Sequence, residues 1–122
     1  MTSRIVWKKP FEIEYSLQGS VNLFDIREEI GRDSDITFLR FLVKARLERD
    51  LGEKCTRHFA LRFTDNSSLT TRTISTLLHC LEIVSDAGRE LGVVNPNGNI
   101  AEAIETFLRP VRIVSSVEEL GT

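Results

Sequence analysis

A hydroxyl-rich stretch is the part of the sequence whose residue types best suit chemistry. It runs from Thr64 to Thr73 as Thr-Asp-Asn-Ser-Ser-Leu-Thr-Thr-Arg-Thr, immediately before the apolar positions of a predicted helix. Hydroxyls there either cap the helix by accepting a backbone N–H, or take a phosphate, which the positive end of the helix dipole stabilises. The residue types alone leave both interpretations open.

The other residues that suit chemistry do not form a catalytic or metal-binding pattern. Cys55 and Cys80 lie far apart, with no CxxC pair and no His pair at ligand spacing, so no zinc site is expected. His58 and His79 have no acid or nucleophile at a readable spacing. We therefore expect no enzyme activity, metal or cofactor, and two free thiols in a cytoplasmic protein. A deep pocket joining Asp65 to either histidine would instead favour a small enzyme.

Length and charge limit the class of protein. The chain has 122 residues, of which 41% are hydrophobic and 28% charged, and 16 Lys and Arg face 18 Asp and Glu for a net charge of -2. This predicts one domain over residues 1–122, with its core in about residues 11–120. The even spread of basic residues argues against a nucleic-acid partner, and the short apolar runs argue against membrane insertion or a signal peptide.

Periodicity predicts the elements that position the hydroxyl-rich stretch. Alternation of apolar and polar side chains from Phe11 to Gln18 predicts a strand. Gly19-Ser20 then turns the chain into a second strand, Val21 to Ile26, which makes an antiparallel hairpin. The alternation slips at Leu23-Phe24, which leaves either a bulge or a strand buried on both faces.

Three amphipathic helices follow, and each leads into a strand. The helices are predicted from cap oxygens at Asp33-Ser34-Asp35 to Gly52, from Ile74 to Gly88, and from Ile100 to Leu108. The strands are predicted at His58 to Phe63, Leu91 to Val94 and Val111 to Val114, with a last turn at Val117 to Leu120. Strands joined through helices lie parallel, so we expect an α/β fold. Its mixed sheet would have four to five strands, with helices packed against it, in the order β-β-α-β-α-β-α-β.

The order and spacing of these elements resemble the STAS domain, a family typified by bacterial anti-sigma factor antagonists. In that family a strand ends in LDLSGV-x-x-(I/L)-DSSG-x-G-x-x-LL, followed by a helix, a Gly and a strand ending in Asn. Here Leu61 to Leu69 takes the place of the strand and loop, and Thr70 to Leu78 that of the signature and helix start. The register needs no gap through Gly88 to Asn95, and the similarity covers about residues 11–120.

The signature itself departs from the family pattern. Thr70-Thr71-Arg72-Thr73 stands where the family usually has Asp-Ser-Ser-Gly. The resemblance implies that Thr71, which keeps the hydroxyl, is the phosphoacceptor, and that Arg72 can pair with the phosphate in cis. Ser67 and Ser68 are the second choice, because using them as the signature would break the register. The residues expected to contact a partner are Thr70, Arg72, Thr73 and Asn66.

The function that the resemblance implies is protein binding in a partner-switching pathway that regulates transcription. The expected partner is an anti-sigma factor that is also a serine/threonine kinase of the histidine-kinase-like ATPase type, and the kinase would hold any ATP and Mg²⁺. The alternative is a STAS scaffold subunit without phosphorylation, in a transporter-associated or stressosome-like assembly. Whether the chain forms a homodimer stays open.

Overall fold

The structure, a computed structural model, describes residues 4–63 and 70–120. Its strands are β1 (Arg4–Trp7), β2 (Ile13–Gln18), β3 (Val21–Ile26), β4 (His58–Phe63), β5 (Leu91–Val94) and β6 (Arg112–Val114). Its helices are α1 (Asp33–Gly52), α2 (Thr71–Asp86) and α3 (Gly98–Phe107), followed by a short 3₁₀ helix (Val117–Leu120). None of the helices in these two ranges is long and apolar enough to cross a bilayer.

The sheet has six strands in the order β1-β2-β3-β4-β5-β6. The pairs β1–β2 and β2–β3 are antiparallel, and the pairs from β3 to β6 are parallel, which confirms the hairpin and the mixed sheet. Each helix connects neighbouring parallel strands in the same direction along the sheet. Because such crossovers are right-handed, all three helices lie on one face. All three helices also begin at the same end of the sheet, beside the C-terminal ends of the parallel strands.

The expected count of four to five strands was wrong, because β1 adds a strand before the predicted hairpin. β1 pairs with β2 at the edge of the sheet, from Arg4 opposite Ser16 to Trp7 opposite Ile13. Three of its four residues are exposed, so both of its faces meet solvent and no alternating pattern marks it. The order of the regular elements is therefore β-β-β-α-β-α-β-α-β.

The main core lies between the sheet and the helix layer. Its buried side chains come from all three helices, including Leu39 of α1, Leu77 of α2 and Ile104 of α3, and they pack against strand residues such as Phe59 and Leu61. Burying one such side chain contributes about 1.5 to 3 kcal/mol. This packing holds the beginnings of α1 and α2 in fixed positions beside each other.

A smaller core covers part of the other face, beneath the 3₁₀ helix. Leu120 packs there so closely on β5 that a Cβ on Gly92 would lie 2.6 Å from Leu120 Cδ1. Glycine therefore stands in a strand where another part of the chain approaches the backbone. Since β3 contributes to both cores and all six of its residues are buried, its broken alternation reflects burial on two faces.

Buried polar groups link β2 and β3 to the end of α1, in a set that we call the Asp50 network. The Tyr15 hydroxyl donates to Asn22 Oδ1 at 2.6 Å, and Asn22 Nδ2 donates to Asp50 Oδ2 at 2.7 Å. Asp50 Oδ1 accepts a hydrogen bond from Arg57 at 3.0 Å, so the fully buried Asp50 carboxylate has a positively charged partner. Burial raises the pKa of the Tyr15 phenol. The network joins three elements through the hydrogen bonds of buried groups.

Charged residues cover the part of the sheet that the 3₁₀ helix leaves open. Glu14 and Asp25 lie opposite each other on β2 and β3 and are almost fully buried. Glu14 pairs with Arg4 at 2.7 Å and with Arg27 at 2.9 Å, and Asp25 pairs with Arg62 at 3.0 Å. Glu14, a polar position of the β2 pattern, therefore faces ion pairs and not open solvent.

The start of α1 differs in one detail from the prediction. The helix begins at Asp33 and its N-cap is Arg32, so the run Asp33-Ser34-Asp35 lies inside the first turn. The Asp35 carboxylate instead reaches back and accepts from the backbone N–H groups of Gly31 and Arg32 at 3.2 and 3.1 Å. An acidic residue in this place stabilises both the turn and the helix dipole.

Candidate functional site

At the start of α2, the residue that caps the helix is Thr70 and not Thr71, the expected phosphoacceptor. Thr70 is the N-cap, and its hydroxyl accepts from the backbone N–H of Thr73 at 3.2 Å. The Thr70 and Thr73 hydroxyl oxygens are also 3.1 Å apart, and Thr73 is only 3% exposed. These two threonines therefore close the end of the helix. Thr71 and Arg72 are left on its exposed surface.

Thr71 is the first residue of α2, and its side chain is exposed. Its hydroxyl has no hydrogen-bond partner among residues 4–63 and 70–120. The backbone N–H groups of a first helical turn point outward and favour an anion, as does the dipole. Thr71 thus offers an accessible hydroxyl in a place where a phosphate would be stabilised.

Arg72 connects the beginnings of α2 and α1. Its Nε lies 3.5 Å from Asp33 Oδ1, and both side chains are well exposed. An exposed ion pair contributes only about 0 to 1 kcal/mol, so Arg72 can exchange this carboxylate for a stronger anion at little cost. Asp33 was not among the expected site residues, because no local pattern connects it with Arg72.

Three of the expected site residues lie outside the described residues. They are Asn66, Ser67 and Ser68, in the hydroxyl-rich stretch before α2. The described part of the expected site is the run Thr70 to Thr73, and it holds two buried or capping residues and two exposed ones. Among residues 4–63 and 70–120, no group of three or more His, Cys, Asp or Glu side chains could hold a metal ion.

A groove between α1 and α2, which we call the α1–α2 groove, adds an apolar surface. It encloses about 560 Å³, and its apolar lining includes Phe41, Leu51 and Ile83. Phe41 is 65% exposed and Leu51 is 51% exposed. Arg40 and Lys44 also line the groove, and Glu48 and Asp86 bring the opposite charge. Large exposed apolar side chains with polar neighbours are typical of protein-binding surfaces.

The sequence did contain a signal for this groove. The buried stripe of α1 includes Ile36, Leu39, Val43 and Leu47, at helical spacing. Phe41 and Leu51 fall outside that stripe, on the face that the buried residues leave to solvent. Apolar residues that break the amphipathic pattern of a helix mark a candidate contact surface.

The two cysteines are both free, and they differ in burial. Cys80 of α2 is fully buried, and this desolvation raises the pKa of its thiol to about 12, whereas Cys55 is partly exposed. Because the thiolate is the reactive form, we expect iodoacetamide at pH 8 to label Cys55 in the native protein and Cys80 only after unfolding. Peptide mapping by mass spectrometry would distinguish the sites. Equal labelling rates in the native state would contradict the burial of Cys80.

Comparison with known proteins adds no assignment. No protein-family model matches the chain, and no curated protein matches its sequence. The resemblance to STAS domains therefore rests on the ungapped spacing from Leu61 to Asn95.

Proposed function

We propose that this protein is a regulatory protein-binding module that resembles the anti-sigma factor antagonists of the STAS family. It would bind an anti-sigma factor that is also a serine/threonine kinase, and phosphorylation of Thr71 would release it. The main observation behind the proposal is that Thr71 is exposed while Thr70 caps the helix. Within the described residues, the Thr71 hydroxyl has no hydrogen-bond partner. The Thr71 hydroxyl is thus free to react without loss of the cap.

The phosphorylation step transfers the γ-phosphoryl group of ATP to the Thr71 oxygen. A P–O bond to ADP breaks, a P–O bond to Thr71 forms, and the hydroxyl proton leaves to a base of the kinase. The kinase holds ATP and Mg²⁺, so this chain is substrate and not enzyme. The proposal also implies a cytoplasmic protein, because the kinase would use cytoplasmic ATP.

Charge is the physical basis of the proposed switch. A phosphate on Thr71 adds about 1.5 to 2 negative charges and three acceptor oxygens to a chain of net charge -2. It would draw Arg72 from Asp33 and set a second anion beside the Asp33 carboxylate. A partner with an acidic group at this edge would be repelled, and a coupling of about 1.4 kcal/mol already changes its affinity tenfold.

The α1–α2 groove supports the binding half of the proposal. It lies along the same two helices whose first turns meet at Arg72 and Asp33. A partner that covers Phe41 and Leu51 would bury apolar surface, which supplies affinity. The same partner could extend toward the first turn of α2, where Thr71 would respond to phosphate.

The test uses a serine/threonine kinase of the histidine-kinase-like ATPase type, with Mg-ATP. We expect the wild-type protein to gain one phosphate by intact mass, and Thr71→Ala to gain none. Ser34→Ala is the matched control, because Ser34 is an exposed hydroxyl in the first turn of α1, and it should be labelled like the wild type. In calorimetry, the phosphorylated protein should bind the kinase at least about tenfold more weakly than the unmodified protein.

Two outcomes would contradict the proposal at different points. Labelling that survives Thr71→Ala but is lost in a Ser67→Ala, Ser68→Ala double variant would move the acceptor to those serines. Absence of any complex with the kinase would overturn the partner-switching function altogether.

The scaffold alternative is favoured by one observation, namely that Arg72 already has a carboxylate partner in Asp33. An internal pair of this kind satisfies the surface without a phosphate. If the complex forms but its affinity is the same with and without phosphate, the protein is a constitutive scaffold subunit and not a switch.

A further inference from the structure

A second cavity lies between the edge strand β1 and α1, and we call it the Tyr15 cleft. It encloses about 220 Å³, and its lining includes Ile5, Trp7, Tyr15, Phe24, Leu42 and Arg46. Ala45 and Arg49 complete the lining, so every side chain except the two arginines is apolar or aromatic. Cavities of about 150 Å³ already hold benzene, and ligand pockets begin at about 300 Å³, so this volume suits a small single-ring or short-chain molecule.

Arg46 gives the cleft its chemical character. Its guanidinium carbon lies 4.2 Å from the centre of the Tyr15 ring, in a cation–π contact. No carboxylate of residues 4–63 or 70–120 forms an ion pair with it. The nearby acids are already engaged, since Asp50 pairs with Arg57 and Glu53 pairs with Arg49. Within the described residues, Arg46 therefore forms no salt bridge, whereas Arg49, the other arginine of the cleft, is paired with Glu53.

The walls of the cleft are held in place by buried contacts. The Tyr15 hydroxyl is fixed by Asn22 at 2.6 Å, and the Tyr15 ring packs on Phe24 with their centroids 5.2 Å apart. Trp7 is held from the other side by an edge-to-face contact with Phe38 at 6.3 Å. Rigid aromatic walls lower the cost of ordering a site when a ligand binds.

We propose that the Tyr15 cleft binds a small amphipathic carboxylate, whose apolar body lies against the accessible side chains of Ile5 and Trp7 and whose carboxylate pairs with Arg46. Guanidinium groups bind carboxylates through two parallel hydrogen bonds, and such charge-assisted bonds are stronger than neutral ones. The site goes beyond the proposed switch, because it lies on the β1 side of α1 and shares no residue with the Thr71 region or the α1–α2 groove.

The single tryptophan provides the readout, because Trp7 lines the cleft. We would titrate the full chain with 3-phenylpropionate and follow Trp7 emission, with the neutral 3-phenylpropanol as the matched ligand. The expected Kd for the carboxylate is about 0.1 to 1 mM, as ligand size predicts, and the alcohol should bind at least about tenfold more weakly.

Arg46→Gln should weaken carboxylate binding to the level of the alcohol. Arg40→Gln is the control, because it removes the same charge from the other side of α1 and should leave the carboxylate Kd unchanged. The proposal is overturned if the emission change does not saturate by about 10 mM carboxylate, well above the expected Kd. It is equally overturned if acid and alcohol bind alike, or if the two arginine variants bind alike. Thermal melts of both variants would establish that they are folded, and none of these outcomes depends on a kinase.

Discussion

Replacing Asp50 with alanine is expected to lower the free energy of unfolding by about 3 to 5 kcal/mol, the usual cost of removing one partner from a buried ion pair. Asp50 is fully buried and accepts hydrogen bonds from Asn22 and Arg57 at 2.7 and 3.0 Å. Its loss leaves a buried amide and a largely buried guanidinium without their acceptor. Urea denaturation with linear extrapolation measures the change, which should lower the midpoint with little effect on the slope.

Glu53→Ala is the matched control for Asp50→Ala. Glu53 follows α1 directly and pairs with Arg49 at a similar distance, 2.9 Å, but both of these side chains are exposed. The control should leave the free energy of unfolding close to that of the wild type, because solvent screens an exposed ion pair. Equal effects of the two substitutions would mean that the Asp50 network does not depend on burial, and would contradict its role in joining β3 to α1.

Periodicity predicted every regular element except β1, and the reason is physical. The helices and the other strands bury at least one side, so solvent and core impose a pattern on their residues. β1 is held by backbone pairing with β2, and three of its residues are exposed. Backbone hydrogen bonds are available to every residue type except proline, so a strand that depends on them leaves little trace in the sequence.

The candidate site was predictable where its geometry is local. Family spacing placed Thr71 in the signature at the helix start, and α2 begins at Thr71, three residues before Ile74, where the periodicity begins. The division between Thr70 as cap and Thr71 as exposed hydroxyl needed coordinates, because both residues are good caps by type. Arg72 and Asp33 lie on α2 and α1, which β4 separates along the chain. The sequence spacing of the two residues therefore does not predict their contact.

The Asp50 network could not be predicted from the sequence either. Glu48, Arg49 and Asp50 follow one another in the last part of α1, and all three types are typical of a solvated surface. Asp50 alone points inward, where Asn22 and Arg57 meet it from β3 and from the segment before β4. Buried charges depend on partners brought together by the fold, and composition gives no sign of them.

Phe59→Ala is the second substitution with a large expected effect, a loss of about 3 to 5 kcal/mol in the free energy of unfolding. Phe59 is 1% exposed in the main core and lies on a central strand between β3 and β5. Removing its ring leaves a cavity that the packed neighbours can fill only in part. For a domain of this size, the loss corresponds to a fall in Tm of roughly 10 to 20 °C.

Phe41→Ala provides the comparison, because it removes the same ring from a site that is 65% exposed. Its effect on the free energy of unfolding should stay within about 0.5 kcal/mol. If the α1–α2 groove binds a partner, the two substitutions separate stability from binding: Phe59→Ala lowers Tm, and Phe41→Ala weakens the complex at unchanged Tm. A large fall in Tm for Phe41→Ala would show that this ring supports the fold. It would also remove the main argument that the α1–α2 groove is a binding surface.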